Sequence, residues 1–182
     1  MLISEEDWKA LARHVSTPMC SAPKPVRLAL AALILPIDGP DSVTSWVNFD
    51  AAADRSWTAW SVWAATSSVL AHVRLVFGSP FYDSAEEHDR RKVATQFNAA
   101  WVRPLSSIKS LQLSQLTPRI AVPSGGHWVG FSGVMVFDDG SQAALPEPPQ
   151  GTEADERQRW DQFIETIRSA ISDGSRRSVV CV

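Results

Sequence analysis

Apolar residues fall three and four apart between Trp8 and Val15, whereas from Val43 to Phe49 the set Val43, Ser45, Val47, Phe49 alternates with Thr44, Trp46, Asn48, so the chain changes from helical to strand periodicity within its first fifty residues. Ser4 is placed to cap the first helix, with Asp7 at the third helical position and Ile3 ready to staple against Trp8. Trp8, Leu11, Ala12 and Val15 form its apolar stripe, and Pro18 with the following "SAPKP" ends it. In "VRLALAALIL" the Leu and Ala content and Pro25 favour a short helix, while the ten-residue spacing between prolines leaves a strand open. "IDGPDS" is turn chemistry, and "VTSWVNF" alternates as a strand with two usable faces. Trp57 to Phe77 is rich in Trp, Val, Thr and Leu, and a break at Thr66 to Ser68 divides it into two antiparallel strands. A competing helix over 51–65 would align Ala53, Trp57, Trp60 and Ala64, and the strand reading is preferred to it.

Residues 78–96 are polar and read as a long surface loop, after which "FNAAWVR" resumes a strand and "PLSS" turns it. "IKSLQLSQL" alternates imperfectly, which points to a bulge or bend. "HWVGFSGVMVF" is expected as one strand in which Gly130 and Gly133 mark a bulge, a bend or a close backbone approach. "VMVF" and "SQAAL" flank Asp139-Gly140 as a tight hairpin, and Pro146, Pro148 and Pro149 end its sheet. Thr152 and Asp155 then make a capping box for a last helix, whose stripe is Trp160, Phe163, Ile164, Ile167 and Ile171 and whose stop is Asp173-Gly174. The expected class is α+β: an N-terminal helical extension over 1–50, a main domain over 51–174 and a tail over 175–182.

Strands followed by one capping amphipathic helix are the layout of the pleckstrin-homology (PH) superfold, and the local phrasing resembles its bacterial PH-like members. "VWAATSSVLAHVRLVF" resembles their second-strand phrase, and "WVRPLSSIKSLQL" the strand ending in a Pro-Leu-Ser-x-Ile turn. "GVMVFDDGSQAAL" with "WDQFIETIRSAI" resembles the final hairpin and helix. The resemblance spans residues 57–172 and implies an antiparallel, partly closed sheet or barrel capped by the C-terminal helix. PH domains that bind phosphoinositides carry a basic cluster between the first two strands. The corresponding "ATSSV" has no Lys or Arg, so headgroup recognition by that loop is not implied.

Seventeen basic against twenty acidic residues give a net charge of -3, with no overall bias towards phosphate backbones, so no nucleic acid is expected as partner. Cys20 and Cys181 belong to no metal spacing. The acidic start "MLISEEDWKA" lacks the pattern of an export signal, and Val26 to Leu35 is half the roughly 20 residues a bilayer needs, so a cytoplasmic protein without membrane contact is expected.

Ser124, His127 and Ser132 sit among glycines, but Gly130-Phe131-Ser132-Gly133 is not a nucleophile elbow. His14, His72 and His88 have no paired metal spacing, and Asp138 and Asp139 are explained as turn residues. No phosphate loop, dinucleotide fingerprint or metalloprotease motif is present, so neither catalytic residues nor a cofactor nor a metal is assigned. Two features are candidates for a partner surface: Arg90, Arg91 and Lys92 in "EEHDRRK", and Trp57, Trp60 and Trp63 among eight tryptophans. The expected function is a non-enzymatic PH-like module for protein binding, scaffolding or self-association. A small-ligand or lipid-binding barrel is the alternative, and a hydrolase built on Ser124 and His127 the least favoured reading.

Overall fold

The first helix, α1 (Glu5–His14), begins as its capping chemistry dictates: the Ser4 hydroxyl accepts from the Asp7 amide at 3.0 Å. The computed structural model of the chain describes residues 2–16, 22–54, 56–78, 95–117, 120–121, 126–149 and 153–177. They belong to two compact units, Met1–Arg103 and Pro104–Val182.

In the first unit α1 is followed by α2 (Lys24–Ile34), so the short-helix reading holds, with a proline in its first turn where the missing N–H costs nothing. Four strands follow: β1 (Thr44–Ala51), β2 (Thr58–Ala65), β3 (Val69–Phe77) and β4 (Thr95–Pro104). They form one sheet in sequence order, with β1–β2 and β2–β3 antiparallel. The competing helix over 51–65 is overturned, because β-branched and aromatic residues buried on both faces of β2 find ladder partners on both sides. One face of the sheet, carrying Trp60, Val62, Ala64, Val73 and Leu75, packs with Leu11, Val26, Leu30 and Ile34 of the two helices in a single apolar core. Each such large side chain contributes roughly 1.5 to 3 kcal/mol on burial. Asp38, just past α2, accepts from the Thr66 hydroxyl at 2.5 Å and the Ser68 hydroxyl at 2.6 Å, tying the β2–β3 turn to the helix end. Those hydrogen bonds, Ser68 first and Thr66 second, hold its carboxyl below the usual range.

The second unit opens with a single 3-10 turn, Leu105–Ser107, where the "PLSS" turn was expected, and β5 (Ile108–Leu116). The short strands β6 (Ile120–Ala121) and β7 (His127–Trp128) pair with each other. β8 (Phe131–Phe137) and β9 (Gln142–Ala144) complete a three-stranded antiparallel sheet in the order β5-β8-β9. The single strand expected over "HWVGFSGVMVF" is thus broken at Val129-Gly130. There Gly130 exchanges hydrogen bonds with Thr117, and a Cβ on Gly130 would overlap Trp128 and Pro148. The β8–β9 hairpin turns as its sequence requires, with Gly140 at φ +80 and Asp139 accepting from the Ser141 amide.

The closing helix, α3 (Ala154–Arg177), packs on β5 and the 3-10 turn with Trp160, Phe163, Ile164 and Ile167 buried. It runs through Asp173 and Gly174 rather than stopping there. Glycine lowers helix propensity by about 1 kcal/mol, but ends a helix only where the backbone turns left-handed. Thr152 lies outside the described residues. The result is an α+β chain of antiparallel sheets and a long C-terminal helix. The barrel part of the expectation is corrected: among the described residues the ladders form separate four-, three- and two-stranded sheets, with no closed barrel.

Candidate functional site

Strand alternation sends Trp60 and Trp63 to opposite faces of β2. Trp60 joins the helix-facing core and meets Phe49 at 4.9 Å between ring centroids. Trp63 lies on the other face, opposite Trp46 in the register, stacked on His72 at 3.9 Å and meeting the edge of Trp101 at 5.7 Å. Both indoles are only 4% exposed, so neither offers area to a partner. Trp57 is half-buried and lies just before β2, outside its ladder. Arg90, Arg91 and Lys92 lie outside the described residues.

Beside Trp63 a polar pair is formed that the sequence did not advertise: His72 Nε2 and Ser61 Oγ are 2.9 Å apart, the reach of a base and a nucleophile. The electrostatics argue against that chemistry. Burial first, and the Arg74 charge second, push the His72 pKa down to about 4, so the imidazolium that a general base must become is disfavoured. The contact ties β2 to β3 on this face of the sheet. His14, hydrogen-bonded to the Ser45 hydroxyl at 3.1 Å, is likewise held below its usual pKa, mainly by burial.

The residues weighed for hydrolysis are not assembled among the described residues. His127 is exposed on β7, Ser132 lies within β8, Asp139 is engaged with Ser141 in the hairpin turn, and Ser124 lies outside the described residues. Among the described residues no group of three or more His, Cys, Asp or Glu is placed to hold a metal. No described helix is long and apolar enough to cross a membrane. A surface cleft of about 510 Å³ between α1 and the Pro40 turn is lined by Glu5, Glu6, Lys9, Arg13 and Asp41, mixed charges that select no ligand class.

The surface that stands out is β5, one of the two outer strands of its sheet among the described residues. Its register with β8 slips between Ile108 and Ser110 and again between Leu113 and Gln115, leaving Lys109 and Ser114 as extra residues. Ile108, Leu111, Leu113 and Leu116 therefore all oppose Phe137, Met135, Gly133 and Phe131, residues of one face of β8. That is the helix side, where Phe131 meets the Trp160 ring at 4.9 Å. Burial falls away along the strand: Ile108 is buried and Leu111 half-buried, but Leu113 is 59% and Leu116 64% exposed. The uneven spacing of the four apolar residues is the signal in the sequence: it points to a bulge or bend, which the register shows, but not to an exposed apolar surface.

Comparison of the chain with family models, with curated proteins and with solved structures finds no match. The assignment of function therefore rests on the geometry of β5.

Proposed function

We propose that this chain is a non-enzymatic PH-like binding module that holds a protein segment along β5. The PH-like reading is supported by the order along the chain of a four-stranded and a three-stranded antiparallel sheet followed by a long amphipathic helix that packs on the second of them. The observation that carries the binding reading is the exposure of Leu113 and Leu116 side by side on an outer strand. An outer strand can extend its ladder with an added chain, whose main-chain hydrogen bonds give affinity and whose alternate side chains meet such apolar positions. A hydrolytic role at the Ser61–His72 pair is disfavoured by the burial that lowers the basicity of His72.

The test is selection of short peptides from a displayed library on the full-length protein. Wild-type protein should enrich extended sequences with alternating apolar residues, and Leu113→Glu/Leu116→Glu should lose them. Both side chains are largely solvent-exposed, so the double variant should unfold within roughly 0.5 kcal/mol of wild type per site. Enrichment of nothing, or enrichment untouched by the double substitution, would reject the reading.

A further inference from the structure

We infer that the segment received by β5 is β5 of a second copy, paired antiparallel about a two-fold axis between Ser114 and Gln115. This deepens the binding reading above and rests on it. Three observations carry it. From Ser110 to Leu116 the strand, "SLQLSQL", holds no charge and no proline, two of the devices with which outer strands repel one another, and carries only the bulge at Ser114 as a third. No like charges would meet when the strand faces itself, and no charge is offered for an oppositely charged partner to read.

The second observation is reciprocity. An axis between Ser114 and Gln115 sets Leu113 of each copy against Leu116 of the other, as a closed isologous contact demands. The third is the bulge. In a regular strand residues 113 and 116 point to opposite faces, and the two leucine pairs would be separated by the sheet. The extra Ser114 brings both leucines to one face, so the four leucines of a pair of copies form a single patch. Both leucines are more than half exposed in the single chain, so the apolar area they would lose is available for the contact.

The contact is short, well under the roughly 800 Å² per partner of a standard interface, so it is weak and reversible. Sedimentation of the full chain should be followed from about 1 μM to about 1 mM, the range in which small interfaces populate. The weight-average mass should climb from 20.0 kDa towards twice that value. Leu113→Lys and Leu116→Glu should each weaken self-association about tenfold or more, since each buries an unpaired charge. An equimolar mixture of the two should regain it, because the mixed pair sets Lys against Glu at one site and Leu against Leu at the other. That rescue depends on residue 113 meeting residue 116, which another register or another surface would not reproduce.

A mass fixed at 20.0 kDa throughout the series, a Leu113→Lys variant that associates like wild type, or a mixture no heavier than its components would each overturn the inference. If the chain stays monomeric while Leu113-dependent peptides are still enriched from the library, self-pairing fails and the binding module stands. If neither is seen, both fail.

Discussion

His72 lies flat against Trp63 with its Nε2 on Ser61, and burial with the nearby Arg74 brings its pKa to about 4. In the unfolded chain a histidine titrates near 6.5. The fold thus prefers the neutral ring. As pH falls through about 6.5 the unfolded chain takes up a proton that the folded one refuses, and stability drops until the folded ring is protonated near pH 4, a loss of roughly 3 kcal/mol. His72→Phe keeps an aromatic ring against Trp63 and cannot titrate. Urea unfolding from pH 7 to pH 4 should show a shallower decline for that variant, and parallel curves would refute the assignment.

Gly133 makes a second demand at this scale, since a Cβ there would run into the carbonyl oxygen of Gln112 across the ladder. Gly133→Ala should cost about 1 to 3 kcal/mol in denaturant unfolding. Gly39→Ala, where a Cβ meets open space and φ is -72, should be neutral or slightly stabilising. The close approach was legible from a glycine inside a strand. The burial of Trp60 and Trp63 was not, because residue type and alternation give a side chain its face without saying what covers it.

Among the elements, β5 shows how register decides which residues share a surface. Deleting Ser114 removes one of the two residues without a register partner on β8 and leaves Leu116 opposite Phe131, so stability should change by about 1 kcal/mol or less. Deleting Gln112 shifts Ile108 and Leu111 to the wrong face, and the loss of their burial should cost several kcal/mol, on the order of 3 or more. Thermal or denaturant unfolding separates the two outcomes, and equal costs would mean the bulge is misplaced.

The closing helix gives a plainer contrast. Phe163→Ala empties a fully buried site and should cost about 3 to 5 kcal/mol, whereas Glu165→Ala on the solvent face should change stability by roughly 0.5 kcal/mol or less. This helix was readable because its apolar residues recur at three and four from Trp160 to Ile171, about three turns. Its end was not, because Gly174 marks a local preference that the neighbouring turns outweigh.

For the whole molecule, periodicity and turn chemistry located the strands from β1 to β5 and both the first and last helices and paired β2 with β3 and β8 with β9, yet did not show that the ladders fall into separate sheets. The boundary expected at residue 50 falls inside β1 (Thr44–Ala51), which pairs along its whole length with β2. Such pairing is a long-range property, set by the register of Trp46 on Trp63 and Asn48 on Ser61 rather than by any local signal.

Each unit also encloses its own close pair of indoles. Trp63 and Trp101 are 5.7 Å apart and near-perpendicular in the first, and Trp128 and Trp160 are 5.9 Å apart in the second. Rings this near couple their electronic transitions, so the near-ultraviolet circular dichroism should contain two separable contributions, one removed by Trp101→Phe and the other by Trp128→Phe. The chain thereby carries an intrinsic optical probe in each unit, and a temperature ramp read at the two signatures reports without any label whether the units melt together or one after the other.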